Sequence, residues 1–213
     1  MSKINYEICT VTKSECEDIL MKYHYLSNIS RGFKSGINFA LKKDSEVRGV
    51  CIFTKWPVPE LLVGCFGLKR DDQDGFWELS RLVLNPEDQS IEHNLASWFV
   101  SRSIRRLKKD NLCRAILSYA DDDFHNGTVY AACNFEYFGL TDKKCDFWIK
   151  SADGKFTKHS RGRVKDLCGE WRPRSRKHRF LMVFDSELNC KWSKQKWKAK
   201  SQPCDLNEDI TNG

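Results

Sequence analysis

The chain has 213 residues, of which 40% are hydrophobic and 31% are charged, and its formal net charge is +7. These values are ordinary for a globular protein and exclude a wholly disordered chain. No apolar run approaches the roughly 18 residues that a membrane-spanning helix needs, and the N-terminus lacks the apolar core of a signal peptide. We therefore expect a cytoplasmic protein that has no membrane partner.

The hydrophobic pattern predicts strands and helices that alternate along the chain. In chain order the predicted strands cover residues 4–11, 37–41, 49–53, 76–84, 114–120, 135–138 and 144–150. The predicted helices cover residues 13–24, 90–109 and 126–133, and the first begins at a capping box of Thr12 and Glu15. Residues 56–75 are predicted to be an excursion. This order predicts an α/β (α+β) fold, with a mixed sheet flanked by helices.

The ten cysteines do not predict a disulfide scaffold. Cys9, Cys51, Cys65, Cys113 and Cys133 lie inside apolar runs, where a reduced cysteine packs as a small hydrophobic residue. The chain has no Cys-x-x-Cys pair, which removes the main support for a zinc ribbon or a thioredoxin-like site. We therefore expect free thiols in a reducing compartment.

The positive charge is concentrated near the C-terminus. From Lys158 to Lys200, fourteen basic residues stand against four acidic residues, so this segment carries +10 and the rest of the chain −3. Aromatic residues interleaved with these charges favour nucleic acid as the partner, although a solvated tail would share the charge pattern. We predict a folded α/β domain at 1–157, a basic nucleic-acid-binding extension at 158–200 that packs on or follows it, and a disordered tail at 201–213.

Two local patterns resemble the GNAT acyltransferases. Residues 82–87 are similar to the fourth strand of these enzymes, a hydrophobic strand that ends in a polar-Pro-Glu step. Tyr130 followed by Asn134 and Phe135 resembles the end of the family's fourth helix, with Asn134 in place of a glycine. The resemblance implies a mostly antiparallel central sheet and a general-acid role for Tyr130 toward the departing thiolate. A tyrosine packed against the sheet is the alternative.

The resemblance also implies acyl-CoA or acetyl-CoA as the cofactor. GNAT enzymes bind its pyrophosphate with a glycine-rich loop after the fourth strand, whereas residues 88–92 of this chain contain no glycine and two acidic residues. This difference argues against ordinary use of acetyl-CoA. The residues expected to bind the cofactor are Val83, Leu84, Gln89, Ser90, Ile91 and Ser101.

A second resemblance covers most of the chain and is carried by several ordered motifs. They occupy residues 22–25, 78–83, 100–102, 118–121, 125–130, 134–139 and 176–180. Together they resemble the Mom family of phage proteins. The resemblance implies a GNAT-like enzyme that converts the N6 amine of adenine in duplex DNA to a carbamoylmethyl derivative. It also implies that the enzyme protects phage DNA from restriction enzymes in the infected bacterial host.

An exocyclic adenine amine is a poor nucleophile, so an enzyme must align it, remove its proton and polarise the incoming group. The predicted catalytic residues are His24, Tyr25, Arg81, Asp121 and Tyr130. Each has a structural alternative: a helix end for His24 and Tyr25, a turn for Asp121, and an ion pair with Glu78 for Arg81. The family resemblance also implies iron, for which His24 and Asp121 would form part of a mixed nitrogen and oxygen site.

The target adenine must leave the duplex before it can react. Aromatic candidates to hold it are Tyr23, Tyr25, Phe124 and Tyr137. The residues predicted to contact DNA phosphates are Arg172, Arg174, Arg176, Lys177, His178 and Arg179. Two other functions stay open, a GNAT N-acetyltransferase for a protein or small amine and a non-catalytic nucleic-acid-binding protein. The sequence also leaves a monomer and a homodimer open.

Overall fold

The computed structural model of the chain describes residues 6–24, 33–159 and 163–199. Its helices are α1 (Lys13–Tyr23), α2 (Glu60–Phe66), α3 (Pro86–Ile91), α4 (Leu95–Asp110) and α5 (Thr128–Ala132). Its strands are β1 (Glu7–Thr10), β2 (Ile37–Lys43), β3 (Glu46–Lys55), β4 (Phe76–Leu84), β5 (Ala115–Asp121), β6 (Glu136–Leu140), β7 (Cys145–Lys150), β8 (Phe156–Lys158), β9 (Gly169–Pro173) and β10 (Lys177–Val183).

The central sheet has seven strands in the order β1-β2-β3-β4-β5-β10-β6. Neighbouring strands are antiparallel except for β4 and β5, which are parallel. A second sheet, in the order β8-β7-β9, is inserted between β6 and β10. The predicted fold class, a mixed and mostly antiparallel sheet flanked by helices, is confirmed.

The parallel strands β4 and β5 separate halfway along their length. Their pairing runs from Phe76 opposite Ala115 to Leu79 opposite Ser118, and then stops. On its other edge β4 pairs with β3, where Ser80 is an extra residue and forms a β-bulge. The Ser80 hydroxyl donates to the carbonyl of Ile52 at 3.2 Å. Because a bulge bends its strand, the end of β4 turns away from β5 and leaves a fork between them.

Helices cover both faces of the sheet. On one face α4 and α5 enclose the largest core cluster, which includes Phe99 of α4 and Phe180 of β10. On the other face α1 packs on β2 and β3 through Ile19 and Leu20. A third cluster, around α2, contains Leu62 and lies further along that second face. Between the second and third clusters, the sheet next to the fork is lined by polar side chains.

Two helical predictions differ from the structure. Residues 56–75, predicted to be an excursion, contain α2, which follows Pro59 and ends where Gly67 adopts a left-handed φ of 73°. The predicted helix at 90–109 is two helices, because Asn94 has a φ of 58° and interrupts it. The apolar spacing of residues 62, 65 and 66 was the available signal for α2.

The basic segment 158–200 is not an appendage along its whole length. Strand β10 forms hydrogen bonds with β5 on one edge and with β6 on the other. Net charge does not reveal strand pairing, whereas the apolar run at 180–183 would have indicated a buried strand. The predicted tail at 201–213 lies outside the described residues.

Within the described ranges, no helix is long and apolar enough to cross a bilayer. The nine cysteines there are free.

Gly127, at the start of α5, tests how tightly that helix packs on the sheet. Its φ is 80°, and an added Cβ would lie 2.1 Å from the Phe180 ring. Gly154 has a similar φ of 82° but open space around it. Both alanine variants incur a backbone cost of about 1–2 kcal/mol, and Gly127→Ala adds about 1–3 kcal/mol for overpacking. Urea denaturation measures the free energy of unfolding of both variants. Equal losses of that free energy would contradict the close packing of Gly127 against the Phe180 ring.

Candidate functional site

Side chains of three strands meet beside the fork, on the face covered by α1. Glu78 and Arg81 lie on β4 opposite Thr54 and Ile52, and Ile52 packs in the core cluster of α1. Asp121 ends β5 and stands opposite Lys177 of β10. The charges of Asp121, Glu78 and Arg81 influence the pKa of the Lys177 ammonium. We call Glu78, Arg81, Asp121 and Lys177 the charged strip.

Glu78 is the carboxylate of the strip that burial affects most. Burial raises its pKa, while the nearby charges of Lys177, Arg81 and Lys34 oppose that rise. Burial together with the Glu78 charge also raises the pKa of Tyr119, on β5, to about 12. A half-buried carboxylate with a raised pKa is a candidate proton acceptor. From the sequence Glu78 was predicted only as an ion-pair partner, although it lies within one of the family-like motifs.

Lys177 was predicted to contact DNA phosphates, and the structure places it within the charged strip. Burial lowers its pKa, as do Arg174 and Arg81, whereas Asp121 and Glu78 act in the opposite direction. The strip thus combines two acids with two bases whose charges influence one another. Opposite charges of this kind offset part of the free-energy cost of burying them.

His24 and Arg81 meet at the same fork. The backbone N–H of His24 ends α1 by donating to the carbonyl of Leu20, and its imidazole is buried. Burial, followed by the charges of Arg81 and His125, lowers the pKa of His24 to about 4. The imidazole is therefore neutral at physiological pH. Tyr25, the neighbouring predicted catalytic residue, lies outside the described residues.

Asp121 organises the turn that follows β5. Its Oδ1 accepts hydrogen bonds from the Ser175 hydroxyl and the Asp123 N–H, and its carbonyl accepts the N–H of His125. These contacts support the turn alternative for Asp121. Its charge nevertheless raises the pKa of His125 against the lowering effect of burial, so Asp121 also belongs to the electrostatics of the site.

Tyr130 lies on the opposite face of the sheet, in the core cluster of α4. Its ring packs against Phe135 and Phe180, at centroid distances of 5.7 and 5.3 Å. The packing alternative thus describes its ring well. A general-acid role for its hydroxyl stays a prediction.

His178 was predicted to contact DNA, but its side chain is buried in a hydrogen-bond chain. Its Nδ1 lies 2.8 Å from the Tyr137 hydroxyl, and its Nε2 lies 2.9 Å from Oδ1 of Asp122. These hydrogen bonds join β6, β10 and the turn after β5. The sequence did not predict them because Asp122, Tyr137 and His178 are far apart along the chain.

The other predicted DNA contacts differ in exposure. Arg172 lies over the Trp148 and Phe156 rings, at 5.0 and 4.2 Å from their centroids, and donates to Glu170. The guanidinium of Arg176 donates to the carbonyl of Thr141 at 2.7 Å. Arg179 donates to the carbonyl of Phe138 and stacks on Trp192. Of the six residues, Arg174 alone is fully exposed.

Helix α3 stands where a glycine-rich loop would follow β4. Its Asp88 is buried, and its carboxylate accepts hydrogen bonds from Arg48 at 2.6 Å and Tyr6 at 2.8 Å. Burial raises the pKa of Asp88, but the two hydrogen bonds and the charges of Arg48 and Lys43 together outweigh it, so the pKa is lowered overall. The segment after β4 therefore carries a buried carboxylate with internal partners instead of a glycine-rich loop.

The residues predicted to bind the cofactor lie in three places. Val83 and Leu84 are buried at the end of β4, whereas Gln89, Ser90 and Ile91 are exposed on α3. Ser101 is a residue of α4, and its hydroxyl lies 3.5 Å from the thiol of Cys133 at the end of α5. Their role stays a prediction.

The N-terminus of α4 follows Asn94, which makes no side-chain cap. Backbone N–H groups in the first turn of α4 can therefore donate hydrogen bonds to an anion.

The residues present do not fit an iron site. Among residues 6–24, 33–159 and 163–199, no three His, Cys, Asp or Glu side chains are grouped to hold a metal ion. His24 and Asp121, the proposed ligands, are each engaged with other groups of the site.

Comparisons with known proteins identify a family and a fold. The model of the Mom protein family matches residues 5–203. No curated protein matches the chain. Among solved structures, a GNAT family acetyltransferase from Elizabethkingia anophelis with acetyl-CoA bound is 12% identical, with a TM-score of 0.50 over 85% of this chain and 100% of that chain.

A ribosomal-protein-S18-alanine N-acetyltransferase from Escherichia coli is 10% identical, with a TM-score of 0.49 over 84% of this chain and 94% of that one. At such identities the likeness to solved structures is one of fold. The fold is that of the GNAT proteins.

The neutral state of His24 makes stability depend on pH. Its pKa is about 4 in the folded chain against an ordinary value of 6.5, so the unfolded chain binds the proton more strongly. The free energy of unfolding should therefore fall as the pH drops from about 6.5 toward 4. His24→Gln should reduce that fall. Urea denaturation at several pH values measures it, and an identical pH dependence in both proteins would rule out the buried, neutral imidazole.

Proposed function

The chain belongs to the Mom protein family, and from this premise we propose that it is a GNAT-fold transferase that adds a carbamoylmethyl group to the N6 amine of adenine in DNA. The modification would protect phage DNA from restriction enzymes in the cytoplasm of an infected bacterium. The observation that carries the proposal is Glu78, a half-buried carboxylate beside the fork of the sheet whose pKa is raised by desolvation. A poor amine nucleophile needs such a base.

Glu78 is the proton acceptor of the proposed reaction. As the bond between N6 and the transferred carbon forms, the bond between that carbon and its leaving group breaks, and one N6 proton passes to the Glu78 carboxylate. Burial moves the pKa of Glu78 toward neutrality, where a general base is most effective. The charges of Arg81 and Lys177 favour the ionised carboxylate, which is the form that accepts a proton. His24, neutral and weakly basic, lines the site instead.

Tyr130 is the proposed general acid. It lies on the face opposite Glu78, so a donor that enters from the α4 and α5 face meets the adenine through the fork. Its phenol can give a proton to the departing group. Asp121 serves as a positioning residue, because it faces Lys177 and holds the turn that carries His125.

The donor is proposed to be a CoA-type compound whose leaving group stands on the methylene carbon of a carbamoylmethyl group, because an acyl thioester would transfer its carbonyl carbon and form an amide instead. Its arm is proposed to lie at the fork, and the N-terminus of α4 offers backbone N–H groups for its phosphates. The usual loop for those phosphates is replaced by α3 with its buried Asp88. This replacement favours a donor that differs from acetyl-CoA.

DNA is proposed to lie along the exposed basic residues beside the fork. Arg174 is exposed, and its N–H donates to the carbonyl of Lys144, another exposed cation. The next residue, Ser175, bonds to Asp121 at the end of β5. A phosphate held by Arg174 would therefore bring its nucleotide to the fork. Phe124, which is 57% exposed, could stack on an adenine that leaves the duplex.

The first test is nucleoside mass spectrometry of DNA from bacteria that express the chain. Wild type should yield 2′-deoxyadenosine that carries an added carbamoylmethyl group. Glu78→Gln should lower the modified fraction by about 10²- to 10⁴-fold, since a general base contributes that much. The control Glu187→Gln, at an exposed turn, should modify as wild type does. A fully active, folded Glu78→Gln variant would contradict the base assignment.

The same measurement separates the alternatives. An acetyl mass on adenine would retain the DNA target and replace the donor. Unmodified nucleosides combined with tight duplex binding would favour a non-catalytic binding protein, an alternative supported by the missing glycine-rich loop. Repeating the assay in phage-infected cells supplies a donor that the expression host lacks, and so separates a missing donor from a non-catalytic protein.

Tyr130→Phe tests the general acid without disturbing its packing. The ring stays between Phe135 and Phe180, so the thermal unfolding midpoint should change little. Modification should fall by about 10²- to 10⁴-fold because proton donation to the leaving group is lost. Full activity with unchanged stability would assign Tyr130 to packing alone.

A further inference from the structure

A groove of 420 Å³ runs between α4 and the edge strand β1. Its apolar walls are Tyr6, Ile8 and Trp98, and its cations are four residues of α4, Arg102, Arg105, Arg106 and Lys109. Strands β2 and β3 separate β1 from β4, so the groove is distinct from the fork. The family-like motif at 100–102 ends at Arg102, and the proposed reaction gives this residue no role.

The four cations share one side of the helix without a counter-charge. Their spacing of three and four residues places them on one face, and like charges at such spacing destabilise a helix by about 0.2–0.5 kcal/mol per pair. The groove lining contains no carboxylate. Among the ion pairs of the described chain, none includes these four residues. The helix dipole explains cations in the last turn only, and Arg102 is in mid-helix.

Two of the arginines are held in place by contacts that leave donors open. The Arg102 guanidinium lies over the Trp98 ring, 5.7 Å from its centroid; this contact engages the flat face and leaves the N–H edge for a ligand. One nitrogen of Arg106 donates to the carbonyl of Ile8. A guanidinium has five N–H donors, and phosphate accepts them in pairs. The groove thus holds prearranged donors for an oxyanion.

The aromatic side of the groove also has unused capacity. Trp98 Nε1 is buried, and in the described part of the chain it has no hydrogen-bond partner. The Tyr6 hydroxyl is taken by Asp88 at 2.8 Å, so Tyr6 offers the groove its ring edge. Cations for phosphates beside aromatic side chains for a base are the combination that nucleotide-containing ligands require.

We propose that this groove is a second binding site, which takes the phosphate groups and base of a nucleotide. Arg102, Arg105, Arg106 and Lys109 bind the phosphates, and the base lies beside Trp98 and Tyr6. The volume is within the range of small-molecule sites, about 300–1,000 Å³. A free nucleotide and a strand of nucleic acid supply the same chemistry. The site does not depend on the reaction proposed for the fork.

Isothermal titration calorimetry on the full chain tests the site with three probes: ADP, adenosine and a short single-stranded deoxyoligonucleotide. ADP should bind, and adenosine should bind at least about tenfold more weakly because the phosphate contacts are lost. Arg102→Gln and Arg105→Glu should each weaken ADP binding at least about tenfold. The control Lys69→Glu, at an exposed cation after α2, changes the net charge as much as Arg105→Glu does and should bind ADP as wild type does. Circular dichroism checks folding.

The oligonucleotide identifies the source of the ligand. If it displaces ADP and loses affinity in Arg105→Glu, the site accepts nucleic acid; if ADP alone binds, the ligand is a free nucleotide. The proposal is overturned if neither ADP nor the oligonucleotide binds, or if both arginine variants bind ADP as tightly as wild type does. Equal weakening by Lys69→Glu would also overturn it, since general charge would then explain the binding. Glu78→Gln should bind ADP normally, which separates this outcome from failure at the fork.

Discussion

The parallel pairing of β4 with β5 stops after Leu79 and Ser118, and the rest of the candidate site depends on that stop. A sheet that continued would close the gap with hydrogen bonds and leave no passage between its faces. The extra residue at Ser80 bends β4 away. In the proposed reaction, the unpaired strand ends beyond it are where groups from opposite faces of the sheet act on the same reacting atoms.

Opening the sheet creates a second requirement, because polar groups at the fork lie close to the core. The chain meets it by alternating charges across three strands, with Glu78 and Arg81 on β4, Asp121 on β5 and Lys177 on β10. Each charge lowers the cost of burying the neighbours of opposite sign. The same arrangement keeps a carboxylate partly desolvated, so structural pairing and proton transfer draw on one set of residues. The α4 groove is the opposite case, since its cations have no internal partners.

Sequence patterns were sufficient for the fold class, the family and most strands, because apolar runs such as 76–84 report burial directly. They also named His24, Arg81 and Asp121 as candidate site residues, and the structure brings these three to one fork. They missed Glu78 as a base, since its pKa depends on burial and on neighbours from other strands. His178 and Lys177 were interpreted as surface cations, because a count of charge contains no information on strand register. Tertiary contacts decided both assignments.

The position of β10 has a consequence for how the chain is made. This strand is synthesised near the end of the chain, yet it completes the sheet between β5 and β6. Until residues 177–183 leave the ribosome, β5 and β6 each present an unpaired edge, and such edges invite pairing with other chains. Pairing across so long a sequence separation is also slow. The sheet of the nascent protein is therefore incomplete until β10 has been synthesised, and a chaperone would find its binding surface at these two edges.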